Sequence, residues 1–113
     1  MHELSITQSI VDAVTDHADG ARVVSVRLTV GRLSGVVPDA MRFCFELITE
    51  GTPLQGARLD IDEPGGRAHC ASCGADFTVP DLILLCACGS ADVRLLAGRE
   101  LTITSLELER EVA

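Results

Sequence analysis

Cys70-Ala71-Ser72-Cys73-Gly74 and Cys86-Ala87-Cys88-Gly89 are two tight cysteine pairs, each followed directly by glycine and separated by a loop of a dozen residues. Four thiols brought together this way form the donor set of one tetrahedral Zn2+ site. The glycines suit it, because a metal knuckle turns sharply after its second cysteine and glycine accepts the positive φ of such a turn. Four sulfurs complete the coordination shell and leave no position for an activated water, so the reading is a structural zinc site at Cys70, Cys73, Cys86 and Cys88. The second pair is C-x-C, one residue shorter than C-x-x-C, which strains that knuckle. His69 is the substitute ligand if the short knuckle fits badly, although its adjacency to Cys70 makes that awkward.

Outward from the cysteines, the module runs from about Arg67 to Leu96, with Pro64-Gly65-Gly66 at its entrance and Gly98 at its exit. Before it, Ala57 to Glu63 alternates Leu59 and Ile61 with charged residues, the period of a half-buried strand. After it, Glu100 to Glu109 reads as a further strand, with a register shift near Ser105 that a β-bulge would produce. A strand on each side of the module marks it as an insertion between strands that can pair antiparallel, and its bracketing glycines read as hinges.

The N-terminal half supplies two helices and another strand. Leu4 to Ala18 repeats Ile6, Ile10, Ala13, Val14 and His17 at helical spacing, with Ser5 and Gln8 as a capping box. Arg22 to Leu33 alternates Val24, Val26, Leu28 and Val30 with polar residues. Pro38 opens a second helix, where its missing N–H is no loss, and Met41, Cys44, Phe45 and Ile48 form its apolar stripe up to Gly51. The expected fold class is α+β: a small, mostly three-stranded antiparallel sheet with two helices on one face, plus an inserted zinc-ribbon-like lobe. The body is 1–65 with 97–113, and the lobe is 66–96.

The 113 residues carry a formal charge of −8, and all nine basic residues are arginine. Such a balance excludes nucleic acid as the partner, since phosphate needs a basic face. No run of eighteen apolar residues is present and the N-terminus does not read as a signal peptide, so a cytoplasmic location is expected, where paired cysteines bind metal more often than they form disulfides. Cys44 reads as core, His17 as a favourable charge at a helix end, and Asp60, Asp62 and Glu63 as a solvated face. Asp39 suits the start of the second helix, or a carboxylate near an N-terminal metal. No phosphate loop, nucleophile elbow or zinc-protease motif occurs, and nothing in the chain is built for catalysis.

Met1-His2-Glu3 offers a different donor set. A free α-amine, the His2 amide nitrogen and the His2 imidazole form fused chelate rings, and the Glu3 amide or carboxylate completes a fourth position. Nitrogen-rich, square-planar ligation suits Ni(II) or Cu(II). On these three residues alone a solvated chain end is the favoured explanation of the segment.

Several motifs in order give this chain a resemblance. Met1-His2-Glu3-Leu4-Ser5, the run Val30-Gly31-Arg32-Leu33-Ser34-Gly35-Val36, the Pro38-Asp39-Ala40-Met41-Arg42-Phe43 helix start, the cysteine pairs, and Ala97-Gly98-Arg99-Glu100-Leu101 together resemble the HypA/HybF family of nickel metallochaperones in NiFe-hydrogenase maturation. The resemblance runs nearly end to end. It implies a non-catalytic carrier with Ni2+ as transported cargo at Met1, His2 and Glu3, and structural Zn2+ at Cys70, Cys73, Cys86 and Cys88. It also implies the HypB GTPase and the hydrogenase large subunit as partners and, for some members, service to urease maturation proteins. The chain departs from the family's C-P-x-C second knuckle at Cys86-Ala87-Cys88. Two other functions fit parts of the sequence: a zinc-ribbon docking adaptor without metal transfer, and a dithiol oxidoreductase using Cys70 and Cys73.

Overall fold

The computed structural model describes residues 2–109, with only the backbone described at His2. The element order is α1 (His2–Ala18), β1 (Arg22–Val30), α2 (Pro38–Thr49), β2 (Arg58–Asp62), β3 (Gly66–Cys70), β4 (Asp76–Val79), β5 (Val93–Ala97) and β6 (Leu101–Glu109). The strands form two three-stranded sheets, ordered β2-β1-β6 and β4-β3-β5. The chain divides into two compact units: Met1–Leu28, Val36–Ile61 and Thr102–Ala113, and then Thr29–Gly35 with Asp62–Leu101. This is the α+β class with a cysteine-bearing lobe that the alternating and helical periods predict.

In the first unit α1 and α2 pack on one another. Helix α1 starts at His2, which places Ser5 inside the helix and not at its cap. The Ser5 carbonyl accepts the Ser9 hydroxyl at 3.1 Å, and the Gln8 amide donates to Asp12 Oδ1 at 2.9 Å. The buried positions are Thr7, Ile10, Val11, Val14 and Ala18, whereas Ala13 and His17 are exposed. The apolar stripe is thus turned from the one expected. Thr7 can enter it because its hydroxyl donates to the Glu3 carbonyl at 2.6 Å, which leaves no buried donor unmet. Asp19 and Gly20, both at positive φ, end the helix.

Strand β1 lies at the centre of its sheet, and its buried positions run Val23 and Ser25, then Val26, Leu28 and Val30, so the alternation changes phase between Ser25 and Val26 and Val24, expected inside, is half-buried. Val14, Val26, Leu28, Met41 and Leu54 are each almost wholly withdrawn from water, and every such side chain contributes about 1.5–3 kcal/mol of transfer free energy.

Helix α2 has Pro38 in its first turn and no side-chain cap from Val37. The Val37 N–H instead donates to Glu3 Oε2 at 3.1 Å, so the first turn of α1 holds the entry to α2. Met41, Phe45 and Thr49 form the buried stripe of α2, and the Thr49 hydroxyl is satisfied by the Phe45 carbonyl at 2.7 Å. Cys44, expected in the core, is half-buried beside that stripe.

In the second unit β3 is central and antiparallel to both neighbours, pairing Ala68 with Phe77 on β4 and with Leu95 on β5. Leu33, Ala68 and Val79 form the small core, with Phe77, Leu84 and Leu95 packed against it. The segment 29–35 is fastened here by backbone bonds: Gly31 N to Glu100 O at 2.8 Å, Arg32 N to Pro64 O at 3.0 Å, and Leu33 N to Gly98 O at 2.7 Å. These approaches leave no room for side chains. A Cβ on Gly31 would lie 2.1 Å from the Gly98 carbonyl oxygen, and one on Gly66 would lie 2.5 Å from Leu33 Cδ1. Gly66 and Gly98, which read as hinges in the sequence, are buried points of close backbone contact within this unit.

A candidate tetrathiolate metal centre

Strand β3 delivers Cys70 to its end, and the chain turns at once. The Cys70 N–H donates to Ala75 O at 2.9 Å and the Gly74 N–H to Cys70 O at 2.9 Å, with Gly74 at φ +78°. The second knuckle repeats the device one residue shorter. The Cys86 N–H donates to Ser90 O at 3.0 Å and the Gly89 N–H to Cys86 O at 2.9 Å, with Gly89 at φ +91°. The first turn is therefore closed over four residues and the second over three, which is how Cys86-Ala87-Cys88 accommodates its missing residue.

The knuckles are tied together. Ser72 Oγ and Ser90 Oγ share a hydrogen bond at 2.8 Å, and the Ala71 N–H donates to Asp92 O at 2.9 Å. The Asp92 N–H in turn donates to Ser90 Oγ at 3.1 Å.

The result is a compact sulfur cluster. Cys70 Sγ lies 3.8 Å from Cys88 Sγ, and Cys73 Sγ lies 3.6 Å from Cys86 Sγ. All four sulfurs fall within 4.8 Å of one another. Disulfides are ruled out, because a bonded pair would stand about 2.05 Å apart. A tetrahedron of Zn–S bonds near 2.3 Å requires S···S separations of about 3.8 Å, so the donor set and its spacing fit Zn2+. Cys70 and Cys86 are buried, whereas Cys73 and Cys88 are exposed.

The electrostatics of the metal-free quartet are uneven. The Cys73 amide, joined by the Ser72 amide, holds the Cys70 thiol down at about 6 from an ordinary value of 9.0, against the opposing effect of burial. The Cys88 amide pulls the Cys86 thiol down, but burial and the sulfurs of Cys88, Cys73 and Cys70 outweigh it and push Cys86 up to about 12. Negative charge therefore settles first on Cys70, and Cys86 keeps its proton beside it. A divalent cation removes that difference, since its charge lets every ligating sulfur ionise.

His69 is not part of the cluster. It pairs with Asp76 across β3 and β4, and its Nδ1 lies 2.6 Å from Asp76 Oδ1. Neighbouring strand residues face opposite sides, which turns His69 away from Cys70.

The N-terminal candidates are described only in part. Met1 and the His2 side chain lie outside the described residues. Glu3 is half-buried in the first turn of α1, and its carboxylate accepts the Val37 N–H. Asp39 is exposed in the first turn of α2. The Glu3–Val37 contact spans 34 positions and had no signal in local sequence, since nothing in spacing or propensity joins those two residues. Among the described residues no helix is long and apolar enough to cross a membrane.

Residues 1–108 match the family model described as HypA, hydrogenase/urease nickel incorporation, metallochaperone. A hydrogenase maturation factor HypA of Geobacter metallireducens is 50% identical over 110 residues, covering 96% of this chain and 100% of that protein. The namesake from Nostoc punctiforme is 47% identical over 109 residues, covering 96% of each. A solution structure of a HypA protein aligns with TM-score 0.72 and 27% identity over 98% of both chains. That of the Ni metallochaperone HypA from Helicobacter pylori aligns with TM-score 0.66 and 25% identity over 96% of this chain and 98% of that one.

Proposed function

We propose, from the premise that this chain belongs to the HypA family of hydrogenase and urease nickel-incorporation metallochaperones, that it carries Ni2+ at its N-terminus and hands it on during NiFe-hydrogenase maturation. The family match across residues 1–108 carries this reading, because it begins at the first residue of the Met1-His2-Glu3 segment.

Helix geometry supports the ligand set. α1 begins at His2, and the first amides of any helix have no acceptor within it. Withdrawing the His2 and Glu3 amide protons for nickel breaks no bond of the helical ladder. The Glu3 carboxylate is engaged by Val37, which favours the Glu3 amide nitrogen over its carboxylate as the fourth donor. Two deprotonated amides also offset the dication beside a helix N-terminus, where a bare cation is disfavoured.

In the same reading, Cys70, Cys73, Cys86 and Cys88 hold a resident Zn2+ that fixes the shape of the lobe. Zinc supplies no chemistry to the cargo, since the thiolates complete its shell. The partners are the HypB GTPase and the hydrogenase large subunit, with urease maturation proteins as further clients, and the setting is the cytoplasm. An open, partly solvated nickel site can release its ion by exchange with an incoming ligand.

Isothermal titration of the zinc-loaded protein with Ni2+ tests the proposal. The chain as it stands takes up one nickel, and His2→Ala loses that site. Equal stoichiometry and affinity in His2→Ala would sink the nickel site and favour the docking-adaptor function.

A further inference from the structure

Strand β6 and helix α1 frame a groove in the first unit that the nickel site does not use. Ala13, Val14 and His17 form one wall and the strand from Ile103 to Leu108 forms the other, around a volume of about 450 Å3. Among the described residues β6 is an edge strand, since its sheet is ordered β2-β1-β6. Edges of this kind are normally guarded by lysine, proline or inward charge. From Leu101 to Leu106 this one reads Leu-Thr-Ile-Thr-Ser-Leu, without a charge or a proline. Ile103 on it is 38% exposed, and Ala13 and His17 on the helix are exposed opposite.

A helix standing beside an open strand edge is the geometry of strand addition. The edge supplies main-chain hydrogen bonds to an extended peptide, and the helix wall receives every second side chain of that peptide. The charge on the rim states what the peptide must carry. Asp16 on α1 and Glu109 on β6 are exposed, Glu107 is exposed although it accepts the Ser25 hydroxyl at 3.4 Å, and neither α1 nor β6 contains lysine or arginine. A second copy of this chain would bring another strand and helix of the same sign, with only the His17 imidazole to set against several carboxylates.

We propose that this groove is a strand-addition site for an extended segment of a partner protein in which apolar residues alternate with arginine or lysine. The site lies within the first unit and needs no change at either metal site.

The test uses the zinc-loaded full chain and an octapeptide of alternating arginine and valine, with the matching glutamate-valine peptide beside it. Backbone NMR titration is expected to show saturable shifts at 103–108 and 13–17 for the basic peptide alone, weakening as salt is added. Ala13→Arg, an exposed helix position, is expected to weaken that binding about tenfold or more, while Leu47→Arg on α2 changes it by less than about twofold. Two N-methylated peptides, blocked at every arginine or at every valine, separate strand addition from simple charge attraction, because only one edge of an extended peptide faces β6. One of them is expected to bind as the parent does and the other to lose binding. Equal binding of both, equal binding of the acidic peptide, shifts confined to other surfaces, or peptide-independent pairing of two copies through β6 would each overturn the proposal.

Discussion

The Glu3 carboxylate accepts the Val37 amide proton at 3.1 Å and so joins the first turn of α1 to the entry of α2. Pro38 follows directly and brings no amide of its own, and Val37 provides no side-chain cap, so Glu3 performs the task a capping residue normally performs from within the helix it caps. Glu3→Ala is expected to lower stability by about 1 kcal/mol, the usual cost of losing such an acceptor, whereas Glu3→Gln keeps an oxygen in place and loses less. Urea denaturation of the two variants measures the difference. Equal losses would show that the hydrogen bond is not the contribution.

The sulfur quartet makes a separate demand. Cys73→Ser removes one of four donors, and zinc content and the stability of the second unit are expected to fall together. Metal analysis and limited proteolysis of the same sample check it. A folded, protease-resistant, zinc-free variant would contradict a structural metal.

Glycine substitutions separate close contact from mere flexibility. Gly31→Ala places a methyl group 2.1 Å from the Gly98 carbonyl oxygen and is expected to cost about 1–3 kcal/mol or more. Gly65 has no atom within 4 Å of such a methyl, so Gly65→Ala is expected to be close to neutral. Thermal melting of both variants distinguishes a packed junction from a free hinge.

What sequence showed and what it hid follows from the range of the interactions. The cysteine spacing and the alternation in β1 were legible because each is a local pattern under one constraint. The strands β3, β4 and β5 are four or five residues long and expose one face, so their alternation is too brief to register. Helix α1 starts at His2, three residues before Ser5, an extension that the S-x-x-Q pattern does not reveal. The place of Gly31 and Leu33 beside Gly98 depends on contacts across more than sixty positions, and only the fold reports them.

The metal-free protein should show a characteristic pH response. Cys70 is depressed from 9.0 to about 6, so its contribution to stability is fully present above pH 9 and is lost as pH falls through 6. Cys86 is raised from 9.0 to about 12, so its contribution is fully present below pH 9 and is lost as pH rises through 12. Between them these groups place the stability maximum of the stripped lobe near pH 9. Chemical denaturation across that range after chelation measures it, and a monotonic decline from pH 6 upward would contradict the assignment of charge to Cys70. Zinc is expected to flatten the profile, because bound sulfurs no longer titrate in that window.

The nickel site at the N-terminus is the central claim, and its distinguishing ligand is the α-amine of Met1. Equilibrium dialysis against Ni2+ of the zinc-loaded protein, with its amine free and with that amine acetylated, tests it most directly. The free form is expected to retain one nickel per chain and the acetylated form none at the same nickel concentration. Equal retention by both forms would contradict N-terminal carriage.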